Sequence, residues 1–425
     1  MTSNTTTTGS VKTHTVIIVG GGAAGISVAS SIHKRDGNID IAIIEPANRH
    51  HYQPGWTMVG GGVFRPEVTS KPMSEVMPKF VSWYQQPVTA IDQDNNQVSL
   101  GDGSSVQYKA LVLAPGLELN WAGIDGLDEA LGSNGVTSNY REGMASYTWD
   151  MVQKLKKGRA LFSQPPMPIK CAGAPQKAMY LSADYWLKHG VLNNVDIQFH
   201  NAGAVLFGVA DYVPALEAYI EKYGINLNFQ STLVAVNGPA QTAVFSSTDS
   251  EGNSQEREIS FDMLHAVPPQ RAPKLIRESA LANEGGWLDL EDDTLRHKTY
   301  TNVFGLGDVS GTGNAKTAAA VRKQAPVVAE NLVATLRNQP LEAAYLGYGS
   351  CPLTVERGKI VLAEFGYGGK LLPSFPKFLL DGTQPTRLAW LLKEKLLPPI
   401  YWQGMLKGHE WLVKPVIGED APAKK

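Results

Sequence analysis

A short strand that runs into three spaced glycines constrains this chain more than any other feature. Thr15 to Val19 is apolar and β-branched, the length of a buried strand. It ends in Gly20-x-Gly22-x-x-Gly25, after which Ile26, Ala29 and Ile32 recur at helical spacing. In such a turn Gly20 makes the tight bend, Gly22 lets backbone approach a pyrophosphate, and Gly25 lets the helix sit close on the strand. Ala23 and Ala24 open that helix, whose free N–H groups and positive dipole end face the phosphates. A second strand, Ile39 to Ile44, ends in Glu45, where a carboxylate hydrogen-bonds a ribose. The pattern predicts a bound dinucleotide at the start of an α/β chain.

Asn48 to Thr57 reads as a loop of rings and turn formers that includes Gln53 and Pro54. His50 and His51 have no further ligand at metal spacing, so they read as solvated and no metal is expected. Pro66 to Met77 reads as loop and helix. Val88 to Ile91 and Gln97 to Leu100 read as strands paired across Asp94-Asn95-Asn96. Tyr108 to Leu113 is a further buried strand, and it turns at Ala114-Pro115-Gly116. That is the place of the return turn of two-dinucleotide flavoproteins, with Pro115 where threonine is usual. Near the far end Val303-Phe304-Gly305-Leu306-Gly307-Asp308 again leads a strand into glycines and a carboxylate, the pattern that holds the ribityl chain of FAD. A helix from about Lys316-Thr317-Ala318 would aim its N-terminus at the flavin, where Lys316 would favour negative charge.

The two motifs together imply FAD rather than NAD, bound by a domain made from residues 12–120 and 294–340. Residues 121–293 read as a second Rossmann-like domain, as in glutathione reductase, and residues 341–425 as a C-terminal segment. Net charge is −2, which offers nucleic acid no surface. No apolar run reaches the ~18 residues that span a bilayer. Met1 to Thr13 is rich in Thr and Ser and reads as neither a secretory signal nor a transit peptide. Two cysteines exclude a disulfide scaffold and suggest a reducing compartment.

The middle domain departs from a pyridine-nucleotide site. Arg159 to Ser163 and Val195 to His200 read as its strands, yet the turn after the first is Gln164 to Lys177, with prolines in place of glycines. Prolines remove the backbone donors that a pyrophosphate needs. Val195 to His200 also lacks a terminal carboxylate for an NADH ribose. Cys171 lies in that turn, just before a helix start at Pro175 and between Lys170 and Lys177, all of which favours thiolate. Cys351 reads as a loop residue without comparable cations near it in sequence, and the sequence leaves open whether the two cysteines meet.

Tyr52-Gln53-Pro54-Gly55, Lys170 to Lys177, Val303 to Asp308, Lys316 to Ala320 and Ser350-Cys351-Pro352-Leu353 resemble sulfide:quinone oxidoreductase, in the branch that contains the mitochondrial enzyme. The resemblance runs over about residues 14 to 415. The glycine motifs are shared with many flavoproteins, whereas the cysteine-centred stretches are specific. The chain lacks the third cysteine of some branches. The resemblance implies that Cys171 and Cys351 form a redox pair, joined directly or through an extra sulfur. Sulfide would attack at Cys351 and leave a persulfide there, and Cys171 would leave as thiolate and pass electrons to FAD. A ubiquinone- or plastoquinone-like quinone would accept them, and a small thiol or sulfite would take the sulfur. It also implies FAD contacts at Gly20, Gly22, Ala23, Ala24, Gly25, Glu45, Gln53, Pro54, Val88, Ala114, Pro115, Gly116, Gly307, Asp308, Lys316 and Thr317. The expected quinone contacts are Lys316, Phe365 and Lys393.

The C-terminal segment fits a membrane surface. Leu388, Leu391, Leu392 and Leu396 form one helix face, Leu397-Pro398-Pro399 reads as a break, and Tyr401 to Leu406 begins a second piece. Trp390, Trp402, Trp411 and the lysines would edge it, as at an interface. The expected place is the cytoplasmic face of a bacterial membrane, or the mitochondrial inner membrane for a processed chain. The nearest rival reading is a type II NADH:quinone oxidoreductase, which the missing second glycine turn opposes. A sulfide dehydrogenase subunit that donates to cytochrome c and a redox-sensing flavoprotein are the others.

Overall fold

The computed structural model describes residues 12–248 and 252–418, so most of the Thr/Ser-rich N-terminal stretch, residues 1–11, lies outside the described residues. The first strand, β1 (Lys12–Val19), runs through the tight turn into helix α1 (Ala23–Arg35), and β2 (Ile41–Ile44) lies parallel beside it. On the other side β1 pairs in parallel with β3 (Ser105–Leu113). Alternation along a strand sends neighbours to opposite faces. Val16 and Ile18 therefore join a core with Ile26, Ile32, Val321, Val328 and Leu332, whereas Ile17 and Val19 join one with Ile276, Leu281 and Leu288. Both faces are covered, which is why the strand reads as a continuous apolar run.

A second parallel sheet is centred on β4 (Gly158–Gln164), with helix α2 (Ala174–Lys188) leading on to β5 (Val195–Asn201). Val136–Thr137, Met263–His265 and Asn226–Phe229 complete it, and a three-stranded antiparallel sheet follows from residue 231. The chain then returns to the first sheet. Strand β6 (Val303–Gly305) pairs with the end of β3, and helix α3 (Ala318–Leu336) packs beside α1.

The C-terminal part corrects two expectations. Cys351 is not in a loop: it lies on β7 (Gly349–Glu356), which forms a hairpin with β8 (Lys359–Phe365). Period-two alternation puts Cys351, Leu353 and Val355 on the face that packs on Ala178 and Met179 of α2. Second, Pro398 and Pro399 do not break the helix. The backbone stays helical from Arg387–Leu391 through Leu392–Leu396, Leu397–Pro399 and Ile400–Gly404 to Met405–Lys407. Two of those stretches are π-helical, and the Leu397 N–H donates to Leu392 O rather than one residue nearer. The wider register carries the helix past two residues that have no N–H to donate.

A third correction concerns Asn48 to Thr57, which is not an open loop. Arg49–His51 pairs with Ser70–Pro72, and Gln53–Gly55 and Trp56–Gly60 are short helices. His50 is buried, not solvated, and burial pushes its pKa down to about 4. The ring is therefore neutral. It donates from Nδ1 to Gly21 O at 3.2 Å and accepts at Nε2 from the Tyr401 hydroxyl at 2.6 Å. With Ser30 Oγ donating to Leu406 O, and Arg35 paired with Glu410 at 2.7 Å, it straps the C-terminal helix across the glycine turn.

Candidate functional site

The glycine turn has the geometry its spacing calls for. Gly20 has φ +103°, and a Cβ there would lie 2.3 Å from Ala114 O. A Cβ on Gly25 would lie 1.8 Å from Gly20 O, whereas one on Gly22 would meet nothing within 4 Å. Bend and close packing thus claim the outer glycines, and the middle one faces open space, as an approaching phosphate requires. Ala23 and Ala24 form the first residues of α1. Glu45 accepts from Gly21 N and Ala47 N, each at 2.7 Å, at the end of β2. Ala114 closes on Val19 O, Pro115 follows it, and Gly116 turns with φ +77°.

Asp308 follows Gly307 at the end of β6. Its carboxylate is half-buried and accepts no hydrogen bond from any described residue, so its lone pairs are free for hydroxyl donors. Burial raises its pKa, while Lys170 and Lys316 draw it down. Thr317 caps α3, its Oγ1 accepting from Ala320 N at 3.1 Å. Lys316 is not a free cation at the helix start: its ammonium donates to Asp308 O at 2.9 Å and Ser310 O at 2.7 Å. Burial lowers its pKa to about 8. Val88 stands apart, since two strands separate its strand, Val88–Asp92, from β1.

The two cysteines, 180 residues apart in sequence, meet. Both are free thiols, and Cys171 Sγ lies 3.9 Å from Cys351 Sγ. Cys171 sits in the left-handed region at φ +48°, a cost that non-glycine residues bear where surroundings force it. Those surroundings are visible. Its N–H donates to Lys316 O at 2.9 Å, and the Tyr140 hydroxyl reaches Lys170 O and Cys171 O at 3.0 and 3.2 Å. The cysteine loop is thus pinned to the start of α3.

The electrostatics separate the pair. Lys177, one turn into α2, is 2 % exposed and places Nζ 3.0 Å from Cys171 Sγ and 3.7 Å from Cys351 Sγ. The Cys351 thiol beside it and the Lys177 ammonium hold the Cys171 thiol well below the usual range, against the effect of burial. The Cys171 sulfur and burial push Cys351 well above it. Burial works against the Lys177 charge, but the two sulfurs more than offset it and raise its pKa.

Two expectations change here. Lys170 serves the thiol only at longer range: its Nζ turns to Gln53 Oε1, and burial lowers its pKa while the charges of Asp308 and Cys171 hold it up. The second cation facing the sulfurs is Lys393, buried in the C-terminal helix without a hydrogen bond to any described residue. Burial brings its pKa down to about 7. Cys351 therefore does have cations beside it, from a helix turn and from a segment 42 positions further on (Lys393 against Cys351). No sequence spacing reports such a contact. Phe365 ends β8 opposite Gly349 and meets Phe207 edge-on at 5.9 Å. An open cavity of about 430 Å³ walled by Gln53, Trp56, Trp121, Tyr140 and Lys170 lies beside the cysteine loop.

The pyridine nucleotide-disulphide oxidoreductase family matches residues 14–154. Over 402 residues the chain is 41% identical to the mitochondrial sulfide:quinone oxidoreductase of Dictyostelium discoideum, covering 94% of this chain and 87% of that one. It is 37% identical to the mouse mitochondrial enzyme of the same name over 93% of this chain and 86% of that one. The solved structure of the sulfide:quinone oxidoreductase of Aquifex aeolicus superposes with a TM-score of 0.77 at 20% identity, covering 98% of this chain and 100% of that one. At that identity the likeness is one of fold.

Proposed function

The chain belongs to the sulfide:quinone oxidoreductase family, and from that membership we propose how its own residues oxidise sulfide and deliver the electrons to a quinone. The observation that carries the reading is the Cys171–Cys351 pair with the Lys177 ammonium against both sulfurs. Hydrosulfide attacks Cys351 Sγ of the oxidised pair. A new S–S bond forms on Cys351, the bond towards Cys171 breaks, and its electron pair stays on Cys171 as thiolate. A thiol of lower pKa is the better leaving group, and Lys177 holds the anion as it forms. Transfer of the outer sulfur to a thiol or sulfite frees Cys351, and loss of two electrons from the pair restores the bridge. An S–S bond is about 2.05 Å, so the gap of 3.9 Å also leaves room for a bridge with one sulfur inserted.

FAD fits the residues present, and when bound it supplies the two-electron acceptor between the sulfur pair and the quinone. Gly22 and the first turn of α1 would hold the pyrophosphate, Glu45 the ribose, and the undonated carboxylate of Asp308 the ribityl hydroxyls. The turn from Gln164 to Cys171, with Pro165, Pro166 and Pro168, leaves a pyridine nucleotide no glycine cradle. Anaerobic addition of sulfide should bleach the oxidised flavin absorbance within the mixing time, and quinone should restore it. NADH should leave it unchanged for minutes; bleaching by NADH at catalytic rates would favour the NADH dehydrogenase reading instead.

We place the protein against a membrane through its C-terminal helix. No described helix is long and apolar enough to cross a bilayer. Leu388, Leu391 and Leu396 are nevertheless 44, 50 and 52% exposed, and Phe378 nearby is 92% exposed. Trp390, Tyr401 and Leu406 from the same stretch are core residues, so truncation would unfold the region rather than test it. Burying each half-exposed leucine adds on the order of 1 kcal/mol. Replacing the three leucines by Gln should therefore weaken co-sedimentation with liposomes roughly 10²-fold, while sulfide still reduces the enzyme. Unchanged liposome binding would put the membrane face elsewhere.

A further inference from the structure

Gly173 precedes α2 with φ −85° and ψ −3°, a right-handed conformation open to any residue. No backbone strain calls for glycine there. The neighbouring space does: a Cβ on Gly173 would lie 2.5 Å from Cys351 Sγ and 2.4 Å from Leu353 Cδ2. The two neighbours differ in what they can yield. Leu353 Cδ2 lies two side-chain torsions from its backbone, so this fully buried side chain has one more rotation to yield by than Cys351 Sγ. Cys351 Sγ hangs one bond from a Cβ on a strand fixed by its pairing with Ala363. It can withdraw only by rotating to another staggered well, about 120° away.

We propose that Gly173 is a positioning residue for the redox pair. Its missing side chain lets the Cys351 sulfur seat against the start of α2, within 3.9 Å of Cys171 Sγ and 3.7 Å of Lys177 Nζ. The same small residue thus joins two requirements of the site. The α2 start must stay close enough to carry Lys177 to both sulfurs, and β7 must press Cys351 onto it. This rests on the redox-pair reading above.

The test uses the full-length holoenzyme without sulfide or quinone, equilibrated in a glutathione redox buffer. There the small disulfide takes up the two electrons and two protons of the protein dithiol, and thiols are counted after quenching. Gly173→Ala should lower the equilibrium constant for the Cys171–Cys351 bridge by about tenfold or more. A constant within about twofold of the parent overturns the proposal, whatever the rate of sulfide oxidation. Thermal midpoints supply the second arm, which serves even where the single variant folds poorly. Gly173→Ala should lower the midpoint in the parent and leave it nearly unchanged in a Cys351→Ala background, where the opposing sulfur is gone. Leu353→Ala should not relieve the loss. An equal drop in both backgrounds, or relief by Leu353→Ala, would assign Gly173 to ordinary packing.

Discussion

Cys171→Ser and Cys351→Ser should each lose at least about 10³-fold in sulfide-dependent quinone reduction, because each removes one end of the same bridge. The losses should not add: the double variant should be no slower than either single one, as for groups that act as a unit. The two should differ in kind. The Cys171 thiol is held well below the usual range by the Cys351 thiol and the Lys177 ammonium, whereas its partner is pushed well above it. In the Cys351→Ser enzyme the remaining thiol should still alkylate rapidly at neutral pH, because the serine hydroxyl takes over the hydrogen bond of the lost thiol and Lys177 stays 3.0 Å away. In the Cys171→Ser enzyme the remaining thiol should react slowly, buried at 3% exposure. Stopped-flow quinone reduction and iodoacetamide rates would measure both. Normal turnover by Cys171→Ser would sink the mechanism, and equal alkylation rates would sink the division of roles.

The parts of the fold set by local pattern were legible in the sequence. The strand–glycine–helix turn needs φ +103° at Gly20 and a 1.8 Å approach at Gly25 that only glycine allows, so the motif carries its own geometry. The absence of a second such turn was equally legible, and with it the arrival of Cys171 at the start of α2. The strand position of Cys351 was not. The stretch Gly347 to Pro352 is rich in turn formers and reads as loop, and tertiary pairing with β8 overrides that propensity. The continuous helix across Pro398 and Pro399 was misread for a related reason, since a change to π register supplied what local rules deny.

The long-range contacts were invisible for a different reason. His50 and Tyr401 are joined across 351 positions, and Lys393 comes to the sulfurs from the last helix. Nothing in a lone histidine marks it as neutral and buried, and nothing in Leu392-Lys393-Glu394 marks the lysine as the inward-facing member. What spacing did carry was Lys177, because Cys171 and Lys177 belong to one local element whose geometry is fixed once the helix starts at Ala174.

That locality makes Lys177 the more telling residue to change after the cysteines. Lys177→Met keeps the apolar stem and removes the charge 3.0 Å from Cys171 Sγ. A thiol whose folded pKa is lowered stabilises the fold fully above its unfolded pKa, about 8.5. It loses that contribution as pH falls through the lowered value. Without the ammonium only the Cys351 hydrogen bond and Lys393, whose own pKa rises once the Lys177 charge is gone, remain against burial. The midpoint of the alkylation rate against pH should therefore rise, which cuts the thiolate fraction at fixed pH. Sulfide-dependent quinone reduction at pH 7 should fall roughly 10²-fold and recover partly as pH is raised past the new midpoint. Folding should respond with the matching sign: the excess stability that the parent shows over the variant should be largest in alkaline buffer and shrink on acidification. An alkylation midpoint that stayed with the parent's would mean that Lys177 leaves the thiolate unaffected, and the separation of the two sulfurs would then have to come from their mutual hydrogen bond alone.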